Sequence, residues 1–213
     1  MKQKKIISLV INVLIFIFVA YCIIKAAFGD GNLFGGESHF YHFYTYDSNI
    51  LAALSCLYLA LHTAKSLADP NYEIPKSAIV FKLIGTGVVT ITFLTVVFFL
   101  QGAYGANMMF NNYSNFFLHF LVPILAMLSY LLLEHKPQPK LWCIVFALIP
   151  TMLYGIIYYH NVITLGVWQD FYHFTSLNMP MWLLIVVFGV FAVLVALIEW
   201  SLNHLLSKAM ENH

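Results

Sequence analysis

Long apolar runs separated by short polar stretches dominate the pattern of this chain. Six runs approach or exceed the ~20 residues that a helix needs to cross the hydrocarbon core of a bilayer. They cover residues 6–27, 45–67, 78–100, 116–133, 141–159 and 179–200. The pattern therefore predicts an all-α, polytopic membrane protein in which residues 1–213 form one domain of six transmembrane helices.

The composition also favours lipid as the main solvent. Of the 213 residues, 62% are hydrophobic and 9% are charged, whereas a soluble domain carries about 25% charged residues. All ten basic residues are lysines and the net charge is +1, which argues against a nucleic-acid partner. Cys22, Cys56 and Cys143 lie in apolar runs, which argues against a disulfide framework or a cysteine-rich metal site.

The lysine positions predict how the helices are oriented. Lysines precede the first run, lie around the second and fourth connections, and follow the sixth run: Lys2, Lys4, Lys5, Lys65, Lys76, Lys82, Lys136, Lys140 and Lys208. Only Lys25 lies near the opposite ends of the runs. Because positive residues concentrate on the cytoplasmic side, we expect a multi-pass protein of the cell membrane with both termini in the cytoplasm.

A histidine inside the fourth run is the first candidate for chemistry. Ionisable side chains are costly inside a membrane and for that reason indicate function. Asn115, His119 and Pro123 share one helix face through i, i+4, i+8 spacing. Because Pro123 has no N–H, the His119 carbonyl loses its helical partner, which favours a protein-lined or wet cavity. A structural histidine beside a proline kink explains the same string equally well.

The start of the second run carries polar side chains on one face, at Thr45, Ser48 and Asn49. Asp47 points another way and is expected to cap the helix or face water, and capping is also the structural interpretation of Thr45 and Ser48. With a rise of about 1.5 Å per residue, Thr45 and His119 are expected at similar depths in the outer leaflet. The spacing alone leaves open whether the second and fourth helices touch.

The remaining polar residues receive structural interpretations. Thr86 and Thr90, together with Gly85 and Gly87, predict close helix packing with interhelical hydrogen bonds. Residues near the predicted inner helix ends are expected to reach water without a special role: His62, Lys65, Glu134, His135 and Glu199, the last by snorkelling.

Taken together, these strings resemble a known family. The Thr-x-x-Ser-Asn-Ile entrance at 45–50, the Thr-Gly pair at 86–87 and the His-x-x-x-Pro string at 119–123 resemble the bacterial Pr6Pr-type membrane proteins. The segment 168–172 resembles a feature of related bacterial proteins. More distantly, the pattern is similar to the androgen-induced and androgen-dependent hydrolases of animals, which cleave fatty acid esters of hydroxy fatty acids. The resemblance implies a threonine nucleophile at Thr45 and a catalytic histidine at His119.

The preferred hypothesis is a membrane hydrolase or acyltransferase of lipid esters, with a polar pocket in the outer leaflet. His119 acts as the general base on the Thr45 hydroxyl. Supporting roles are expected on the same helix faces and on the loop before the sixth run: Asn49 or Asn115 as oxyanion donor, Ser48 beside Thr45, and Asp170 as the group that orients His119. Membrane lipids are the expected partners, a fatty-acyl ester the expected substrate, and no cofactor is needed.

Three alternatives remain at this stage. A transporter or channel requires His119, Asp170 and the threonines of the third run to line one path, and no second acid is expected beside His119. A metal site requires several of the histidines assigned to the outer side, namely His39, His42, His119, His160 and His173. The third alternative is a structural or assembly role without chemistry.

Overall fold

A computed structural model describes residues 2–28, 40–105, 107–134, 137–177 and 179–211 of the chain. Within these ranges the secondary structure consists of helices joined by loops, with no strand. Six helices are long enough and apolar enough to cross a membrane. The predicted all-α, multi-pass membrane fold is therefore confirmed.

The six helices are α1 (Lys2–Phe28), α2 (Tyr44–Ala68), α3 (Lys76–Leu100), α4 (Tyr113–Leu133), α5 (Leu141–Thr164) and α6 (Met181–Glu211). Two of them extend beyond their predicted ends at 159 and 200. The stretch after 200 contains no glycine or proline, so nothing in the sequence breaks α6 where its apolar run ends. The helix α5 ends shortly before Gly166, whose φ of +65° places it in the left-handed region.

The helix α3 lies at the centre of the bundle. It contacts α2, α4, α6 and the first turns of α5, while α1 covers α2 and α4. The loops lie at the two ends of the bundle, which we call the lysine side and the aromatic side. The lysine side carries the 69–75 loop and the connection from α4 to α5. The aromatic side carries the starts of α2 and α4 and the connection from α5 to α6.

Three helices contain a π-helical turn near the aromatic side, at Val96–Leu100, Phe117–Leu121 and His160–Thr164. In α4 the turn is placed just before Pro123. The Val122 N–H donates to the carbonyl of Phe117, five residues back, which moves the hydrogen-bond pattern out of register before the proline. The missing N–H of Pro123 was predicted to deprive the His119 carbonyl of its helical partner, and α4 accommodates the proline by forming this π-helical turn.

The closest approach between α2 and α3 occurs at Gly85. A Cβ atom at this position would overlap Ser55 Oγ and lie 3.0 Å from the Cα of Ala52. Only a residue without a side chain allows the two backbones to come this close. This confirms the predicted close packing at this glycine.

We expect Gly85→Ala to lower the free energy of unfolding by about 1–3 kcal/mol, because the added methyl overpacks the α2–α3 contact. Gly102→Ala is the matched control, since a Cβ there meets nothing within 4 Å. Reversible unfolding of the purified protein in mixed detergent micelles measures both. Equal stability of the two variants would contradict the close contact.

Candidate functional site

The side chains of Thr45 and His119 meet inside the bundle. The Oγ1 atom of Thr45 lies 3.1 Å from Nε2 of His119. Both residues are buried, with 8% and 4% of their surfaces exposed. Thr45 belongs to the first turn of α2, and His119 to the π-helical turn of α4. The structure thus brings together the two residues that the motifs singled out.

Asn49 ties the start of α2 to α4. Its Nδ2 donates to the carbonyl of Thr45 at 2.7 Å and to the carbonyl of Leu118 at 3.1 Å. Because an amide has two N–H bonds, both are used, and Asn49 does not serve as the predicted oxyanion donor. It holds the backbone of Thr45 against the residue that precedes His119, which makes it a positioning residue.

Ser48 connects the same turn of α2 to α3. Its hydroxyl donates to the Thr45 carbonyl at 3.1 Å and lies 2.7 Å from the hydroxyl oxygen of Thr92. Ser48 therefore links the backbone of Thr45 to the central helix through the Thr92 hydroxyl.

Asn115 lies one turn from His119 at the start of α4. The side chain of Asn112 caps this helix by accepting from the backbone N–H of Asn115 at 2.8 Å. The Asn115 amide donates to Asn111 Oδ1 at 2.7 Å. The amide cluster thus organises the first turn of α4, and an oxyanion role for Asn115 stays a prediction.

Asp170 organises the aromatic loop, defined here as residues 165–177. Its carboxylate accepts hydrogen bonds from the Tyr158 hydroxyl, the Phe174 N–H, and the N–H and hydroxyl of Thr175. The predicted pairing of Asp170 with His119 is therefore wrong. His119 Nδ1 is buried and has no hydrogen-bond partner among the residues that the structure describes.

The aromatic loop packs on the start of α2. The Tyr172 hydroxyl accepts from the Tyr44 N–H at 2.9 Å, which satisfies one of the N–H groups that a helix start leaves unpaired. The Trp168 ring stacks on His42 with ring centroids 4.1 Å apart. The Tyr154 hydroxyl donates to the His42 carbonyl at 2.8 Å. The loop therefore closes the bundle directly beside Thr45.

A cavity of about 60 Å³ lies among α3, α5, α6 and the aromatic loop. Its walls are mostly apolar, and it touches α2 only at Tyr44. Neither Thr45 nor His119 lines it, so the polar pocket predicted at this pair is not the cavity found here. A pocket for a drug-sized ligand measures about 300–1,000 Å³, and this cavity therefore holds only a short part of a chain.

A second polar cluster lies towards the lysine side. The Lys82 ammonium is fully buried and donates to Asn12 Oδ1 at 2.8 Å and to Cys56 Sγ at 3.0 Å. It lies 3.9 Å from Glu134 Oε2. Glu134 Oε1 accepts from Ser8 Oγ and from the Asn12 amide at 2.9 and 2.6 Å.

This cluster corrects two expectations from the sequence. Glu134 is 4% exposed and does not face water, because α1 presents Ser8 and Asn12 to it. Glu199 does not snorkel either. It is 4% exposed and lies 2.6 Å from the Thr90 hydroxyl, because α6 continues beyond it. Ser8 and Asn12 were missed from the sequence, although their i, i+4 spacing within the apolar part of α1 is a signal of a buried polar partner.

The described histidines do not gather into a metal centre. Among the residues with described placement, no group of three or more His, Cys, Asp or Glu side chains is arranged to hold a metal ion. His39 and His135 lie outside the described residues. The metal alternative therefore gains no support from the described part of the bundle.

Comparisons with known proteins assign neither a family nor a function to this chain. No protein-family model matches the chain, and no curated protein and no solved structure matches it. The resemblance to the Pr6Pr-type proteins and to the animal hydrolases stays a prediction.

We expect Asn49→Ala to destabilise the protein by about 1–3 kcal/mol, because the bridge between the α2 and α4 backbones is lost. Asn71→Ala is the matched control, since Asn71 is exposed in the 69–75 loop. Unfolding in mixed micelles reports both changes. A cost at Asn71 as large as that at Asn49 would refute the bridging role.

We also expect acid to loosen the aromatic loop. Partial burial alone raises the pKa of Asp170, but the hydrogen bonds from Thr175, Tyr158 and Phe174 outweigh it and hold this pKa below its usual range. The carboxylate therefore stabilises the folded loop above the unfolded-state pKa. This contribution is lost as the pH falls through the lower, folded-state pKa.

The measurement is the fluorescence of Trp168 in a variant whose other tryptophans are phenylalanine. An acid transition is expected in this background and is expected to be absent after Asp170→Asn, which leaves the loop loosened at every pH. An identical transition in the Asp170→Asn protein would show that another group, such as His42, controls the loop.

Proposed function

We propose that this protein is an integral membrane hydrolase or acyltransferase of lipid esters, with Thr45 as nucleophile and His119 as general base. The observation that carries this proposal is the distance of 3.1 Å between Thr45 Oγ1 and His119 Nε2 in a buried site. A hydroxyl within hydrogen-bond reach of an imidazole is the arrangement that nucleophilic catalysis needs. The resemblance carried by the two motifs points to the same residues.

The reaction proceeds in two steps. As Thr45 Oγ1 attacks the ester carbonyl, His119 Nε2 accepts its proton. The tetrahedral intermediate then expels the alcohol, which takes the proton from His119 and leaves an acyl group on Thr45. In the second step, water or another alcohol loses a proton to His119, attacks the acyl group and restores the Thr45 hydroxyl.

The first turn of α2 supplies a favourable field for the oxyanion. N–H groups at a helix start have no partner within their own helix, and the helix dipole is positive there. Both amide hydrogens of Asn49 are donated to carbonyls. The backbone N–H groups of Tyr44, Tyr46 and Asp47 also have partners, namely the Tyr172 hydroxyl and the Phe43 carbonyl. We therefore assign the oxyanion to the positive end of the α2 dipole, with Asn115 as the side-chain donor.

Access to this site runs through the aromatic loop. Thr45 and His119 are buried, so an ester reaches them only when a wall moves. The contact between Tyr172 and Tyr44 closes the start of α2, and the cavity beside Tyr44 accepts the nearest part of an acyl chain. The lysine positions favour cytoplasmic termini, and we therefore propose that the site lies in the outer leaflet of the cell membrane.

Ion-linked transport is a second candidate function, favoured by the burial of Lys82, Glu134 and Glu199. Ionisable residues inside a membrane commonly mark ion or proton pathways. Neither acid hydrogen-bonds to His119, so the objection raised from the sequence, that no acid pairs with His119, still applies to a path through that residue. Flux into liposomes that depends on Lys82 or Glu199, without ester turnover, would favour this function.

We expect Thr45→Ala and His119→Gln each to lower ester turnover by roughly 10²–10⁴-fold, because each removes half of the nucleophile–base pair. Thr45→Ser retains part of the activity, since the hydroxyl is kept. The assay offers a series of fatty-acyl esters to the protein in lipid nanodiscs and follows release of the fatty acid. Mass spectrometry of quenched reactions is expected to find the acyl group on the peptide that contains Thr45.

Two matched variants control for the substitutions themselves. Thr63→Ala makes the same change at another buried threonine of α2, and His62→Gln removes an imidazole that pairs with Tyr72. Both are expected to retain full turnover. If Thr45→Ala and His119→Gln also retain it, the assignment of these two residues fails.

A further inference from the structure

The carboxyl group of Glu199 is enclosed between α6 and α3. Its Oε1 atom lies 2.6 Å from the Thr90 hydroxyl. Its Oε2 atom lies 3.7 Å from the place where a Cβ on Gly87 would stand. Thr90 is 14 residues into α3, about 21 Å from its start at Lys76 by helix rise. The carboxyl therefore lies deep in the bundle, beside Gly87 of α3.

The Thr90 hydroxyl has one hydrogen but two hydrogen-bond contacts, which indicates that this carboxyl carries a proton. The Thr90 hydroxyl lies 3.0 Å from the Thr86 carbonyl and 2.6 Å from Glu199 Oε1. A hydroxyl has one hydrogen to donate, and the carbonyl can only accept. Both contacts are full hydrogen bonds when Thr90 donates to Thr86 and a protonated Glu199 donates to Thr90.

The charge count leads to the same conclusion independently. Lys82 is the ammonium of the cluster, and its electrostatic range includes both Glu134 and Glu199. Glu134 is the carboxylate that lies within 4 Å of Lys82, and it accepts two further hydrogen bonds. An ionised Glu199 would add an uncompensated charge in a region of low dielectric, which is very costly. One proton on Glu199 makes the cluster neutral.

Several buried oxygens of the bundle lack a hydrogen-bond partner within the described ranges: Glu199 Oε2, Glu134 Oε2, Thr86 Oγ1 and the Tyr130 hydroxyl. Buried polar atoms normally have partners. Glu199 Oε2 therefore lacks the donors that a buried negative charge needs, which again favours the neutral, protonated carboxyl.

Several elements packed against α6 carry titratable groups. In the described part of the chain they include Lys82 on α3, Tyr130 on α4, Glu134 directly after α4 and Cys143 in the first turns of α5, and α6 itself carries His204. His204 stacks on Trp200 with ring centroids 5.2 Å apart. Lys82 is thus the cation that the charge balance of the buried cluster depends on.

We propose that Glu199 is a proton-binding site, which holds one exchangeable proton inside the bundle against the neutral pair of Lys82 and Glu134. The ligand of this site is the proton itself. Glu199 plays no part in the ester chemistry at Thr45, so the two proposals stand or fall separately.

Infrared spectroscopy of the protein in lipid vesicles tests this site directly. The wild type at neutral pH is expected to show the C=O band of one protonated, buried carboxyl, which moves to lower frequency in D2O as the proton exchanges. Glu199→Gln is expected to lose the band. Thr90→Val is expected to shift it, because the carboxyl loses its hydrogen-bond partner, and this shift assigns the proton to Glu199.

The charge balance also predicts a variant in which the band grows instead of disappearing. Lys82→Met removes the compensating cation, so the band is expected to grow to the intensity of two protonated carboxyls. Glu73→Gln is the matched control, since Glu73 is exposed in the 69–75 loop, and it leaves the band unchanged. If Glu199→Gln fails to fold, Thr90→Val still tests the assignment, because it leaves every carboxyl of the protein in place.

Three results would overturn the proposal. The first is a wild-type protein without a protonated carboxyl band at neutral pH. The second is a band that Thr90→Val leaves in place. The third is a band that sodium ions remove at constant pH, which would identify a metal-cation site instead.

Discussion

Lipid offers no hydrogen bonds, and this constraint governs the interior of the protein. Each buried polar group must find its partner on its own helix or on a neighbouring one. Asn49 meets this demand by donating to backbone carbonyls on both α2 and α4. Asn12 meets it between Lys82 and Glu134. The crossings that fix the bundle are therefore also the places where its buried polar groups lie.

The sequence predicts the fold well because hydrophobic length is a local property. The six apolar runs correspond to the six helices, and the glycine at 85 lies where α2 and α3 touch. The rewinding before Pro123 also follows from the proline's missing N–H. The long α6 was underestimated, because polar residues after Trp200 continue a helix as readily as apolar ones.

The candidate site was predictable only in part. Thr45 and His119 share a depth that follows from helix rise, but their contact depends on which helices are neighbours, and spacing does not encode that. Asp170 was assigned to His119 because it is an acid on the correct side, whereas the nearby Tyr158 and Thr175 satisfy its carboxylate. Glu199 was assigned to water because its distance from the end of α6 was misjudged. The first error concerns the partner of a side chain and the second the length of a helix, and neither can be read from local spacing.

The length of α6 places part of the protein outside the hydrocarbon. A helix of 31 residues measures about 46 Å, whereas the hydrocarbon core is about 30 Å thick. Tilting absorbs some of this mismatch, but the remaining turns project through the phosphate layer. The exposed Lys208 lies on these last turns, at a height where a cation favours contact with anionic headgroups.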